Sequence, residues 1–228
     1  MTTRPKLTLK DVTLRERDVK LRMPFRFGVV TLREAPQIFV EARIALADGR
    51  EGTGLSAEVL APKWFDKSPE LTNEDNFDQL RKAVAIAAKV YQEETTPHTA
   101  FGLHVAAAPG VRAAAAEAGL PPLVASFGPA LVDRAILDAL TRLLGISIFK
   151  AAQENVFGLT GELTPELEGF DYSGFLAGLG PAGLESFTKA GAALWAARYV
   201  AADARPVRTW AQSSRMARAW TKWPTKLW

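Results

Sequence analysis

The chain has no cysteine. That excludes disulfides, thiolate metal sites and a cysteine nucleophile, and it accords with a reducing, cytoplasmic setting. Histidine is scarce. His98 and His104 are the two present, and they read as solvated residues of a helix-to-helix connection, too isolated to hold a metal. No stretch approaches the roughly 18 apolar residues needed to cross a bilayer. Met1 to Lys10 is polar and basic with no apolar run behind it, so neither a signal peptide nor a membrane partner is expected. A large excess of one charge is also missing. A net charge of +3 over 228 residues is too small a field to gather nucleic acid, and no nucleic-acid partner is expected. There is no Gly-x-Ser-x-Gly elbow, phosphate loop or dinucleotide fingerprint.

The residues present describe a soluble globular chain, 48% apolar and 23% charged. Leu7 to Arg22 alternates loosely and is rich in Val, Leu and Thr, which predicts a strand ending near Met23-Pro24. Ile38, Val40, Ala42, Ile44 and Leu46 share one face and Glu41 and Arg43 the other, the period of a half-covered strand. Asp48-Gly49 follows as a hairpin signal, and Glu51 to Ala57 returns as a third strand. Three antiparallel strands with one face covered form a small sheet.

Beyond it the period changes. Thr72 with Asp75 predicts a capping box, and Phe77, Leu80, Val84, Ala88 and Tyr91 mark an amphipathic helix of about five turns. Ala106 to Gly119 predicts a shorter helix. Gly128 to about Leu144 predicts a third, with Val132, Ile136, Ala139, Leu140 and Leu143 inward, Asp133, Arg134, Asp138 and Arg142 facing water, and Gly145 as its stop. The fold class is therefore α+β: a three-stranded antiparallel sheet packed against a helical cluster, followed by an irregular or partly helical tail. Residues 1–157 form the first unit and 158–228 the second.

Four strings sharpen this order: Met23-Pro24-Phe25-Arg26-Phe27-Gly28, Asp48-Gly49-Arg50-Glu51-Gly52-Thr53-Gly54, Ala61-Pro62-Lys63-Trp64-Phe65-Asp66, and Val132-Asp133-Arg134-Ala135-Ile136-Leu137-Asp138-Ala139 on a helix ending in Leu144-Gly145. In this order and spacing, residues 7 to 157 resemble the N-terminal capping domain of the mandelate racemase and muconate lactonizing group of the enolase superfamily. In that family the domain does no chemistry; two of its loops close over the mouth of a (β/α)-barrel. By position they match Pro24 to Thr31 and Gly52 to Glu58. The resemblance therefore implies a substrate-facing set of Phe25, Phe27, Thr31, Leu55 and Ser56, a lid that excludes water and selects substrates. The residues themselves leave another reading open: Phe25 and Phe27 as core, Gly52 and Gly54 as a tight hairpin or bulge.

The family's chemistry is α-proton abstraction from a carboxylate by a Lys or His base, with Mg²⁺ stabilising the enediolate. A barrel needs at least about 200 residues, and about 70 follow Phe157. No Lys-x-Lys pair occurs. No catalytic base, metal ligand or cofactor is assigned to this chain; Mg²⁺ belongs to the full-length family, and a small carboxylate is a partner only when a barrel is supplied. Exposed apolar surface left by the absent barrel favours a homo-oligomer.

From Arg198 onward there are seven Lys or Arg and one acid, Asp203, and five of six tryptophans lie at or beyond Trp195. Rings interleaved with cations suit single-stranded nucleic acid or an anionic surface, which gives the alternative of a non-enzymatic binding module. A shifted reading frame in a GC-rich gene gives the same composition and is the preferred account. The leading expectation is a truncated superfamily member, silent alone; the other alternative is a capping subunit working with a separately encoded barrel.

Overall fold

The computed structural model describes residues 4–28 and 30–179. The tail that carries five of the tryptophans, and every expectation resting on it, lies outside the described residues.

The α+β architecture is as the sequence predicts: one antiparallel sheet of order β1-β2-β3 with helices on one face. β1 spans Leu7–Phe27, β2 Val30–Leu46 and β3 Glu51–Val59. Ile38, Val40, Ala42, Ile44 and Leu46 all turn inward and are buried, because side chains alternate faces along a strand. The other face is not apolar. Arg15 pairs with Glu41 at 3.7 Å and Arg43 with Glu51 at 3.1 Å, so a charged ladder meets solvent there. Leu55 is the large exposed apolar residue on that face; the others among the described residues are Met23, Phe25, Ile148, Phe149, Leu163, Phe170 and Phe175.

Two strands outrun their predicted ends. β1 continues past Met23-Pro24 because, after an irregularity between Lys20 and Phe25, Phe25, Arg26 and Phe27 pair again with Leu32, Thr31 and Val30. β2 begins eight residues before Ile38 to supply those partners. β3 stops at Val59, opposite Gln37. Beyond that point β1 and β2 project as a two-stranded arm.

α1 (Asn73–Glu93) starts at the predicted capping box. Thr72 Oγ1 accepts from the Asp75 amide at 3.2 Å, and the Thr72 amide donates to Asp75 Oδ2 at 2.7 Å. Such a cap contributes about 1 kcal/mol. Phe77, Leu80, Val84, Ala88 and Tyr91 are buried as their spacing requires.

α2 spans Ala100–Glu117 and begins six residues before its predicted start at Ala106. Thr99 Oγ1 accepts the Gly102 amide at 3.0 Å and nucleates the extra turn. His104 is thereby inside the helix and buried, which corrects its reading as a solvated loop residue. α3 (Pro122–Ala125) is one short turn.

α4 (Phe127–Leu144) lies on β3 and α1, and Gly145, in the left-handed region at φ 64°, ends it as predicted. Two glycines let its backbone come close. A Cβ on Gly54 would fall on Ala139 N and Ala135 O of α4; one on Gly128 would fall on Ala83 O of α1. α4 also closes the free edge of β3. Asp138 Oδ2 accepts the Leu55 amide at 2.9 Å, Ser56 Oγ donates to Leu131 O at 2.7 Å, and Arg134 donates to Glu58 at 3.1 Å. Asp133, expected to face water, is buried, so α4 turns more than its apolar stripe inward.

After α5 (Ile148–Gln153) and a 3₁₀ turn (Pro165–Leu167) comes α6 (Tyr172–Ala177). Residues 158–179 fold back on what precedes them. Leu176 is fully buried, Asn155 Nδ2 donates to Ser173 Oγ at 3.3 Å, and Arg4 donates to the same oxygen at 2.8 Å.

Candidate functional site

The arm carries the first group of expected site residues. Phe25 and Phe27 alternate with Arg26, so both rings take one face while Arg26 and its partner Thr31 take the other. The ring centroids of Phe25 and Phe27 are 5.4 Å apart. Trp64, from the loop after β3, meets Phe27 edge-on at 5.2 Å. Phe25 remains 44% exposed. The result is a row of three rings at the end of a projection, each near-neighbour pair contributing about 1 kcal/mol.

Trp64 is held by a loop with its own internal support. Lys63 adopts φ 60°, a conformation non-glycine residues rarely take. Its amide donates to Asn76 Oδ1 at 2.9 Å, and its ammonium donates to the carbonyls of Ser68, at 2.8 Å, and Leu71. Asp66 accepts from Gln79 at 3.0 Å and from the Ser68 amide at 2.9 Å. These two bonds, Gln79 foremost, hold the Asp66 carboxyl below the usual carboxylate range. Phe65 packs edge-on against Phe127 at 5.1 Å. The sequence spacing does not join Trp64 to Phe25 and Phe27; the signal in this loop is an aromatic pair, Trp64-Phe65, directly after Ala61-Pro62.

Leu55 and Ser56 sit elsewhere. They pair with Glu41 and Val40 in the middle of β2, whereas Phe27 pairs with Val30. Val40 and Val30 are ten positions apart, roughly 33 Å of strand. Leu55 projects onto the open face and is 54% exposed. Ser56 spends its hydroxyl on Leu131. The structure thus joins Phe25 to Phe27, adds Trp64, and separates both from Thr31, Leu55 and Ser56.

Away from the arm, a polar cluster lies inside the helical layer. Tyr91 of α1, His104 of α2 and Asp133 of α4 are 0%, 5% and 4% exposed. Tyr91 Oη donates to Asp133 Oδ1 at 2.9 Å. His104 Nδ1 lies 2.8 Å from Asp133 Oδ2 and 2.9 Å from Tyr91 Oη. An ionised carboxylate only accepts, so Nδ1 carries the hydrogen. Burial pulls the imidazole down, but the charge of Asp133 and its hydrogen bond outweigh that, and His104 titrates above the ordinary histidine value. The helical spacing held the signal: Asp133 precedes Ile136 by three and Leu140 by seven, and His104 precedes Ala107 by three and Val111 by seven. His98 is different. Its Nε2 lies 3.4 Å from Glu94 Oε1, near enough for attraction but outside hydrogen-bond geometry.

An open groove of about 440 Å³ lies at the opposite end of the sheet from the arm, with Lys6, Arg50, Lys150, Asp48 and Glu154 at its rim. Arg50 is paired with Asp48 at 2.8 Å and Lys150 with Glu154 at 3.9 Å. Among the described residues, no three His, Asp or Glu side chains converge as a metal set, and no helix is long and apolar enough to cross a membrane.

No protein-family model matches the chain, and no curated protein matches it. Among solved structures it is similar to one described as a mandelate racemase/muconate lactonizing enzyme from Sorangium cellulosum, at 24% identity and a TM-score of 0.36. It is also similar to an enolase from alpha proteobacterium bal199 with bound magnesium, at 14% identity and a TM-score of 0.39. The first match covers 63% of this chain and 34% of the other; the second covers 85% and 51%. The chain therefore spans about a third and about half of these two proteins.

Proposed function

We propose that this chain is a lid, a capping unit that lays the Phe25–Phe27–Trp64 row over the mouth of a (β/α)-barrel acting on a small carboxylate. The barrel is a separate structural unit, and it supplies both the base and the Mg²⁺ that stabilises an enediolate. The row of rings at the projecting end of the β1–β2 arm carries this reading. Apolar rings exposed on a supported projection lose solvent when they close over a second surface, and each then contributes on the order of 1.5–3 kcal/mol.

The described residues do not fit the metal. Mg²⁺ takes six hard oxygen ligands in near-octahedral geometry, and no convergent acidic set is present among them. The chemistry of this chain is exclusion: it keeps water from a reacting centre and chooses which apolar substituent fits beneath the rings.

The reading is tested by pairing the chain with a separately expressed (β/α)-barrel of the enolase superfamily and following deuterium wash-in at the α-carbon of a carboxylate panel. Exchange is expected from the pair and not from the chain alone. Phe25→Ala/Phe27→Ala is expected to lower kcat/KM of the pair at least about tenfold, a loss of ~1.4 kcal/mol in transition-state stabilisation. The unfolding midpoint of the chain is expected to fall modestly, since Phe25 is exposed but Phe27 packs against Trp64 and the core. Equal rates with and without the rings would remove the lid.

A further inference from the structure

Half of the buried face of α2 is alanine, and Phe101, Leu103 and Val111 supply its larger apolar contacts. Its buried residues are Ala100, Phe101, Leu103, His104, Ala107, Ala108, Val111 and Ala115, and alanine buries too little area to fix a helix firmly. Hydrogen bonds hold its two ends, from the Phe101 amide to Phe157 O and from Lys82 to Ala118 O; at its middle the directional tie is His104, whose Nδ1 meets Asp133 of α4 and Tyr91 of α1 at 2.8 and 2.9 Å. The Tyr91–Asp133 bond at 2.9 Å closes the triangle. His104 also stacks on Phe101, one helical turn earlier, at 6.2 Å and 22°.

We propose that the Tyr91–His104–Asp133 cluster is a proton-operated latch, which holds α2 against α1 and α4 while the imidazole is charged and slackens when it loses its proton.

The charged and titratable groups that face His104 among the described residues are Asp133 from α4, Tyr91 from α1 and Arg112 from its own helix. Asp133 favours the imidazolium; Arg112 opposes it. The folded midpoint lies above the unfolded one, about 6.5. The folded state therefore binds the proton more tightly than the unfolded chain. Its stabilisation is complete below pH 6.5 and is lost as pH rises through the folded midpoint. Losing the charge weakens the tie and leaves the Nδ1–H···Oδ2 bond in place, so α2 loosens while the sheet and α1 stay packed.

The full chain has two histidines, so His98→Gln leaves His104 as the single titrating imidazole in a proton NMR spectrum. Its ring resonance is expected to titrate above 6.5, and Asp133→Asn to bring it below. Hydrogen exchange between pH 6 and 9, corrected for intrinsic rates, is expected to show the opening constant of α2 rising about tenfold for each unit of that elevation, with α1 unchanged. In Asp133→Asn the extra rise should vanish. A wild-type His104 midpoint at or below 6.5, or α2 protection that follows α1 at every pH, would overturn the latch. The wild-type titration needs no destabilised variant.

Discussion

Gly54→Ala is expected to lower the stability of this protein by about 3 kcal/mol or more, at the upper end of overpacking costs. The added Cβ would land on Ala139 N and Ala135 O, which are backbone atoms of α4 and cannot rotate away. Retreat of the whole helix is blocked on the far side. Gly128 brings α4 equally close to Ala83 O of α1, and Val132, Ile136, Ala139 and Leu140 fill the space between with no exposed surface to spare. Relief would also break the bonds from Asp138 to the Leu55 amide and from Ser56 to Leu131. Urea unfolding measures the loss as a lower midpoint at unchanged slope. Gly52→Ala is the control. Its Cβ meets Cγ and both methyls of the Leu143 side chain, which is partly buried near the helix end and can change rotamer where a backbone cannot, so a smaller loss of about 1 kcal/mol is expected. Similar costs at the two glycines would show that close approach of α4 is not what Gly54 provides.

Breaking the buried polar cluster is expected to be as damaging. His104→Ala leaves the Asp133 carboxylate sealed in the helical layer with the Tyr91 hydroxyl as its remaining donor from the cluster. Removing one partner of a buried ion pair costs about 3–5 kcal/mol, because the other charge stays desolvated and uncompensated. Asp133→Ala is expected to cost less, since the buried imidazole then gives up its proton and its Nδ1 can still pair with the Tyr91 hydroxyl. The two losses are coupled, not additive. Tyr91→Phe/His104→Leu/Asp133→Leu, which replaces every polar member by an apolar side chain, is expected to recover most of the stability lost in either single variant. The check is a cycle of thermal or urea midpoints at pH 6. A triple variant no better than the singles would mean that the cluster's hydrogen bonds, rather than its unpaired charge on truncation, decide the outcome.

Much of the fold is legible from spacing alone. Strand β2 announces itself because its inner face is uninterrupted from Ile38 to Leu46, and α1 because its stripe ends in Tyr91 after an explicit Thr72–Asp75 cap. The arm was not legible. Phe25 to Phe27 pair with Leu32 to Val30 across an irregularity, and neither side alternates cleanly enough to predict a strand. The first turns of α2 are hidden because a run of alanines gives no stripe, and the start signal, Thr99, stands apart from it. Asp133 and His104 look solvated because a charge or a ring nitrogen, taken alone, favours water. Each is polar at an apolar position, and only the pair explains why either is tolerated. The row of three rings needed coordinates, since Trp64 is 37 positions beyond Phe27 and no periodicity links a strand end to a loop.

The segment between Leu60 and Thr72 contains neither helix nor strand, yet its groups are committed to one another: the Lys63 ammonium to two carbonyls, the Lys63 amide to Asn76, Asp66 to Ser68 and Gln79. Lys63 bridges Ser68 and Leu71, the Ser68 amide is held by Asp66, and Lys63 and Asp66 are each tied to α1, through Asn76 and Gln79. A loop tied at several points to itself and to one helix loosens as a piece more readily than in part, so loss of the ties at Lys63 or Asp66 is expected to free Trp64 from Phe27.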